Sequence, residues 1–382
     1  MIKGDIMKVV NDYFLSKTDK VSFVELRQGS QLSIKGYIVK DNFPLPIATF
    51  TLIEEIKDGN IEEELKVSHL IEGIVYILGI DYDFIYKEDY ENILYSFNPK
   101  IEDYILYRGY KFIEEKNYED GAIFFRALTN INSKNIDGLF QYALSLEKLS
   151  QDLANSGNGE KAEGFFIEST NQLERILDAA PDFSLAYYKL GYHYKYYEQF
   201  QKSKLIWEKY IQLDDDEERI QEIREQIELI TDDVEYERGI NYLNNGQFGE
   251  ALEKLLPLTE RYKEWWNIFY LTGLSFKGIG EYEDAIEYFY EALDLGGEDV
   301  NLYNELGICL VGLGDINQAI NILNRGIEID DRDYRIIFNR GLAYLQLGLI
   351  DEAIEDIEFA HYLNPEDVTV KTQLERFKKL NY

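Results

Sequence analysis

The 382-residue sequence predicts a mainly α fold: an α-α superhelical solenoid of helical hairpins, preceded by a small α+β module. Three observations predict it. Gly239, Gly273, Gly307 and Gly341 stand 34 residues apart, a period that marks stacked copies of one supersecondary unit. Around each glycine, apolar residues recur at intervals of three and four, the spacing of one helix face, in two runs separated by a Gly-centred turn. Before residue 101 the pattern changes to short β-branched runs punctuated by Asn and Pro.

The first ten residues alternate charged and apolar side chains and lack the apolar core of a signal peptide. Residues 21–27, 31–40 and 47–56 read as two or three strands of an antiparallel meander, with Asn42, Pro44 and Pro46 as turn formers. Ile61, Leu65, Leu70, Ile71, Ile74, Val75 and Leu78 give a helix over 61–78 with one buried stripe, and a short helix follows over 88–97. Residues 1–100 thus form the α+β module, packed on the first repeat.

From residue 101 hairpins follow one another. The first carries Ile105, Gly109, Phe112, Tyr118, Gly121 and Phe125. A degenerate second carries Leu139, Tyr142, Ala143 and Leu146, then Leu173, Ile176 and Pro181. The third carries Tyr187, Leu190, Gly191, Tyr194, Phe200, Trp207 and Tyr210. The four regular copies follow, the clearest with Tyr303, Leu306, Gly307, Leu310, Gly314, Ala319 and Leu323. The first-helix glycine and second-helix alanine remove bulk where the helices cross. One hairpin cannot bury its own apolar faces, so the copies stack.

The steps Ala143 to Gly191 and Gly191 to Gly239 are each 48 residues, one repeat plus 14. The first excess falls around 150–164, where residues 155–159 form a loop between lengthened helices. The second falls at 217–231, where Ile220, Ile223, Ile227 and Ile230 predict an extra helix. The domains are therefore 1–100, a first array over 101–231, and a second array over 232–382. Pro257, late in a second helix, predicts a kink or an early end. Residues 366–380, with Val370, Leu374, Phe377 and Leu380 on one side, predict a solitary capping helix.

This pattern of a large residue, Leu-Gly, Tyr, Ala, an aromatic and a closing Pro resembles the tetratricopeptide repeat, in about seven copies from residue 101 onward. The resemblance implies a non-enzymatic interaction scaffold or adaptor whose partner lies in the concave groove of successive first helices. The groove positions that it implies are Phe140, Tyr188, Tyr236, Tyr270, Asn304 and Phe338. One helical turn on come Tyr192, Ile240, Leu274, Ile308 and Leu342. Members that grip a terminal carboxylate present Lys and Asn there, and this chain departs from them. Its aromatic and aliphatic groove, rimmed by acid, suits a protein or peptide with apolar anchors and Lys or Arg flanks. Trp265 and Trp266, with Pro257, are expected to serve a structural role where the curvature changes, with a binding hot spot at Trp265 as the minor alternative. The alternatives are a self-assembling homo-oligomer, or an enzyme with its chemistry in residues 1–100.

The formal charge of -33 repels phosphate backbones and anionic lipid, so neither nucleic acid nor membrane is expected as a partner. The most apolar stretch, 71–80, is too short to span a bilayer and contains Glu72. Cys309 stands alone, which excludes an intrachain disulfide and suits the cytoplasm, and its apolar neighbours predict burial. His69, His193 and His361 lie at no metal-ligand spacing and are expected at partly exposed helix positions. No phosphate-binding GxxxxGK[ST] loop occurs, so no cofactor, metal or catalytic residue is expected.

Overall fold

The computed structural model describes residues 3–26, 32–39, 43–51 and 66–380. The chain divides into two compact units, Met1–Ile223 and Arg224–Tyr382.

The first unit opens with α1 (Lys3–Leu15), which the alternating pattern of residues 1–10 did not announce. Val10 and Phe14, one turn apart on its inner face, are buried. A short 3-10 turn, Ser16–Lys20, leads into β1 (Val21–Val24). Then come β2 (Ser33–Ile34), β3 (Tyr37–Ile38) and β4 (Leu45–Ala48). In place of a meander, β1 pairs antiparallel with β4, Val21 opposite Ala48, and the β2–β3 hairpin lies between them in sequence. That hairpin turns on Lys35 and Gly36, at φ +47° and +97°, the positive angles that a twist-matched two-residue turn requires.

Packing decides the β1–β4 pairing. All four residues of β4 are buried, and the strand lies against α2 (Val67–Ile80) so closely that a Cβ on Gly73 would sit 2.1 Å from the Pro46 carbonyl oxygen. Of the expected strands and helix, Arg27, Gln31, Lys40 and residues 52–56 and 61–65 lie outside the described residues. Helix α2 is buried from His69 to Ile80. Its one acid, Glu72, accepts from Arg108 Nη2 at 3.1 Å and from the Tyr104 hydroxyl at 2.5 Å, with Arg108 Nε 2.8 Å from Oε1 as an ion-pair contact. An ion pair so enclosed needs both partners.

Next come α3 (Lys87–Phe97), α4 (Ile101–Glu114) and α5 (Tyr118–Ile131). One hydrophobic cluster runs from Val10 to Phe165, so the N-terminal segment and the first hairpin share a core. The next hairpin, α6 (Ile136–Asn155) and α7 (Gly159–Ala179), has helices of 20 and 21 residues, against the 13 residues of α8 (Ser184–Tyr196) and the 14 of α9 (Phe200–Leu213). The first 14-residue excess is therefore about two extra turns on each helix. The second is α10 (Glu217–Leu229), within which the two units meet in sequence.

The second unit is a succession of hairpins: α11 (Thr231–Asn244) with α12 (Phe248–Arg261), and α13 (Trp266–Ile279) with α14 (Tyr282–Asp294). It continues with α15 (Val300–Gly312) and α16 (Ile316–Ile329), then α17 (Tyr334–Gln346) and α18 (Ile350–Leu363). Gly239, Gly273 and Gly307 meet the large residue of the second helix rather than the alanine, whereas Gly341 meets Ile357, Asp356 and the Ala353 carbonyl. A Cβ on Gly239, Gly273 or Gly307 would lie 2.5, 2.6 or 2.5 Å from Leu255, Phe289 or Leu323. Helix α12 does not end at Pro257 but runs on to Arg261. Pro257 and Glu253, one turn before it, are both exposed, so the carbonyl that proline leaves without a donor faces water. Finally α19 (Val368–Leu380) buries Val370, Leu374 and Phe377 in the core of this unit and so covers its last hairpin.

Candidate partner-binding surface

In the first unit the candidate positions separate by depth. Phe140 on α6 is buried, with its ring 5.2 Å from Phe183 in an edge-on contact. Tyr188 and Tyr192 stand one turn apart on α8, both half-exposed, with ring centroids 5.4 Å apart. Behind them lie Tyr210, 5.4 Å from Tyr188, and the fully buried Trp207, 5.0 Å from Tyr192.

Both hydroxyls donate to Glu222 on α10, that of Tyr188 at 3.1 Å to each carboxylate oxygen. Burial and then the bond to this carboxylate push both phenols up, so they remain neutral donors at physiological pH. The extra helix thus sets an exposed acid against a tyrosine pair.

In the second unit Tyr236 and Tyr270 are half-buried. The Tyr236 ring lies 4.7 Å from Trp265, and its hydroxyl accepts from Asn267 Nδ2 at 2.7 Å. Tyr270 packs 6.3 Å from Trp266 and 6.0 Å from Phe289. Asn304 is buried at 9% exposure and accepts from Asn339 Nδ2 at 2.7 Å, while Phe338, at 8%, belongs to the core. The seven positions are therefore four tyrosines with open surface and three side chains beneath it.

A second ladder escaped sequence reading. Asn267, Asn301 and Arg335 are also 34 residues apart, three positions before Tyr270, Asn304 and Phe338. They link neighbouring first helices: Asn267 donates to Tyr236, and Arg335 Nη2 donates to Asn301 Oδ1 at 2.9 Å. Lys277 and Glu305 form a further ion pair between α13 and α15. Comparing the repeats one position at a time, polar residues included, would have exposed this ladder.

The histidine expectation needs correction, because His69 and His193 are buried, at 5% and 2% exposure. His193 Nε2 lies 2.7 Å from Glu147 Oε1 and its Nδ1 2.8 Å from Thr170 Oγ1, and the ring stacks 4.2 Å from Phe166. Burial pushes the Glu147 carboxyl up, but the bonds from His193 and Lys189 outweigh it and hold the group below the usual range. The repeat register carried part of this signal, since His193 occupies the position of Ser275, Cys309 and Ala343, all fully buried, although Asn241 at the same position is exposed. Burial also pushes the Cys309 thiol up to about 12, which leaves it unreactive. Beside Phe166 the lengthened hairpin borders an open cavity of about 730 Å³, with Glu147, Tyr196 and Tyr197 also in its wall.

Among the described residues no helix is long and apolar enough to cross a membrane. No curated protein matches the sequence. Among solved structures, the chain is similar to the Arabidopsis OM64 TPR domain, at 23% identity over 30% of this chain and 96% of that one, with a TM-score of 0.30. It is similar also to YrrB, a TPR protein with an unusual peptide-binding site, at 15% identity over 66% and 97% of the two chains, TM-score 0.28. The APC/C hetero-tetramer Cut9-Hcn1 matches at 15% identity over 81% of this chain and 63% of that one, TM-score 0.39. Three family models, each described as tetratricopeptide repeat, match residues 236–300, 280–339 and 334–367. Together with the observed hairpins, these matches identify residues 236–367 of this chain as tetratricopeptide repeats.

Proposed function

We propose that the chain is a protein-interaction scaffold that holds a partner segment against the first-helix tyrosines. The observation that carries this reading is the pair Tyr188 and Tyr192, whose half-exposed rings lie one turn apart beside the exposed Glu222. Rings at that spacing accept apolar anchors, and the carboxylate favours a Lys or Arg next to them. Tyr236 and Tyr270 offer the same kind of surface in the second unit, where Asn304 and Phe338 are buried, and Phe140 is a buried residue of the first. The net charge of -33 adds long-range attraction for a basic segment, which raises the association rate at low salt.

The test is selection from a random peptide display library, with wild type, Tyr188→Ala/Tyr192→Ala and Tyr236→Ala/Tyr270→Ala as baits. Wild type is expected to enrich segments with aromatic or aliphatic anchors flanked by Lys or Arg, and each double variant to lose part of that set. Enrichment of acidic segments, or identical selections by all three baits with unchanged circular dichroism, would overturn the reading.

A further inference from the structure

A cavity of about 120 Å³ in the first unit is walled by α1, α5, α6, α7 and the turn after α2, and none of its lining residues is a groove candidate. Two guanidinium groups, Arg126 and Arg175, line it in a chain of net charge -33. Among the described residues neither forms an ion pair with a carboxylate. A buried charge is ordinarily met by an opposite one.

Arg126 is 5% exposed. It donates to the carbonyl oxygens of Gly79 and Ile80 at 2.8 and 3.2 Å, at the end of α2, and to Asn11 Oδ1. Its guanidinium carbon sits 4.8 Å from the Phe14 ring centroid. All of these are dipoles or a quadrupole, and the helix end offsets about half a charge at most. Arg175 is exposed and donates to Gln172 Oε1 at 2.8 Å.

One carboxylate, Glu168, also lines the cavity, and it accepts from Gln172 Nε2 at 2.5 Å and Asn171 Nδ2 at 3.2 Å. The Tyr142 phenol is pushed up by burial and is a neutral hydroxyl at physiological pH. The wall therefore carries two positive charges, one negative charge and a phenolic donor, and Met7 and Tyr82 stand exposed at it, at 53% and 46%.

We infer that this cavity binds one small oxyanion, a carboxylate or a phosphate, with Arg126 and Arg175 as its charge partners and Tyr142 as a hydrogen-bond donor. The planar guanidinium suits either group through paired N–H···O bonds. The volume exceeds the roughly 30 Å³ share of one water molecule and accommodates a phosphate-sized group but not a nucleotide. The proposal uses no groove residue and stands or falls independently of the partner-binding surface.

The test is isothermal titration of the full chain with sodium phosphate, sodium acetate and sodium chloride at matched ionic strength. Chloride serves as the control because any salt screens so acidic a chain. The expected result is single-site saturation by phosphate or by acetate but not by chloride, and the anion that saturates identifies the source of the ligand chemistry. Arg175→Gln should weaken that binding at least tenfold with an unchanged melting temperature in the absence of anion. If Arg175→Gln melts lower, Tyr142→Phe, which removes only a hydroxyl, replaces it as the variant, with a several-fold loss expected. Absence of saturation, equal saturation by chloride, or unchanged affinity in the variant overturns the inference.

Discussion

At Gly273 the repeat leaves no room for one more carbon, since a Cβ would lie 2.6 Å from the Phe289 ring. Gly273→Ala is expected to cost about 1–3 kcal/mol, read as a lower urea midpoint at unchanged m-value. Gly249 on α12 is the control, because a Cβ there meets nothing within 4 Å. Gly249→Ala should stabilise by about 0.5–1 kcal/mol, through helix propensity and a less disordered unfolded chain. Gly273 is thus required by packing, and Gly249 is not.

Glu119 is a residue-scale lever on pH. Burial pushes its carboxyl up, but hydrogen bonds from Lys17, Lys20 and Tyr13 prevail and hold it at about 2, against 4.5 for a free glutamate. A folded-state value below the unfolded one stabilises above the unfolded pKa, and that stability disappears as pH falls from 4.5 towards 2. Glu119→Gln should lower stability at pH 7 by about 2 kcal/mol and flatten the decline across that window, as followed by thermal melts at stepped pH. A variant whose acid limb matches wild type would remove Glu119 as the cause.

At the scale of elements, α19 has a task that its sequence states. Val370, Leu374 and Phe377 are buried in the second unit, and each fully buried side chain of this size contributes about 1.5–3 kcal/mol. Removal of residues 368–382 should lower the melting temperature of that unit and increase its binding of a hydrophobic dye. Helix α10 acts differently, by bringing Glu222 to two tyrosines of another helix. Glu222→Ala should lower the late-ionising phenol fraction in an alkaline absorbance titration, because it removes a carboxylate that disfavours phenolate.

At the scale of the molecule, two compact units predict that unfolding need not be a single step. Fluorescence of Trp207, in the first unit, and of Trp265 and Trp266, in the second, gives each unit its own probe. Single-tryptophan variants should show two different denaturant midpoints, and coincident midpoints would show one cooperative transition. Phe359 and Tyr362 on α18, at 44% and 76% exposure with rings stacked 6.3 Å apart, are the surface to check for self-pairing. Light scattering over a dilution series should return 44.8 kDa throughout if the chain is a monomer.

Much of the second unit is legible in sequence, because a repeat reports each packing position several times over. Gly239, Gly273, Gly307 and Gly341 mark the crossings, and a hairpin buries its core with local contacts at fixed spacing. The lengthened α6–α7 hairpin and the extra helix α10 were legible for the same reason, as departures from a known period. Non-local packing was not legible. Pairing of β1 with β4 depended on α2, whose Gly73 admits the strand, and the pattern of residues 1–10 did not reveal a helix that buries Val10 and Phe14. By itself the sequence determined the hairpin period, the small residues at each crossing and the capping helix, since these follow from side-chain periodicity along one helix face. Only the tertiary structure decided that Tyr188 and Tyr192 stay open while Phe140, Asn304 and Phe338 are covered, and that Arg126 is buried with no carboxylate paired to it among the described residues. Exposure and charge pairing depend on what neighbouring helices bring to a position, and the spacing within one helix does not contain that information.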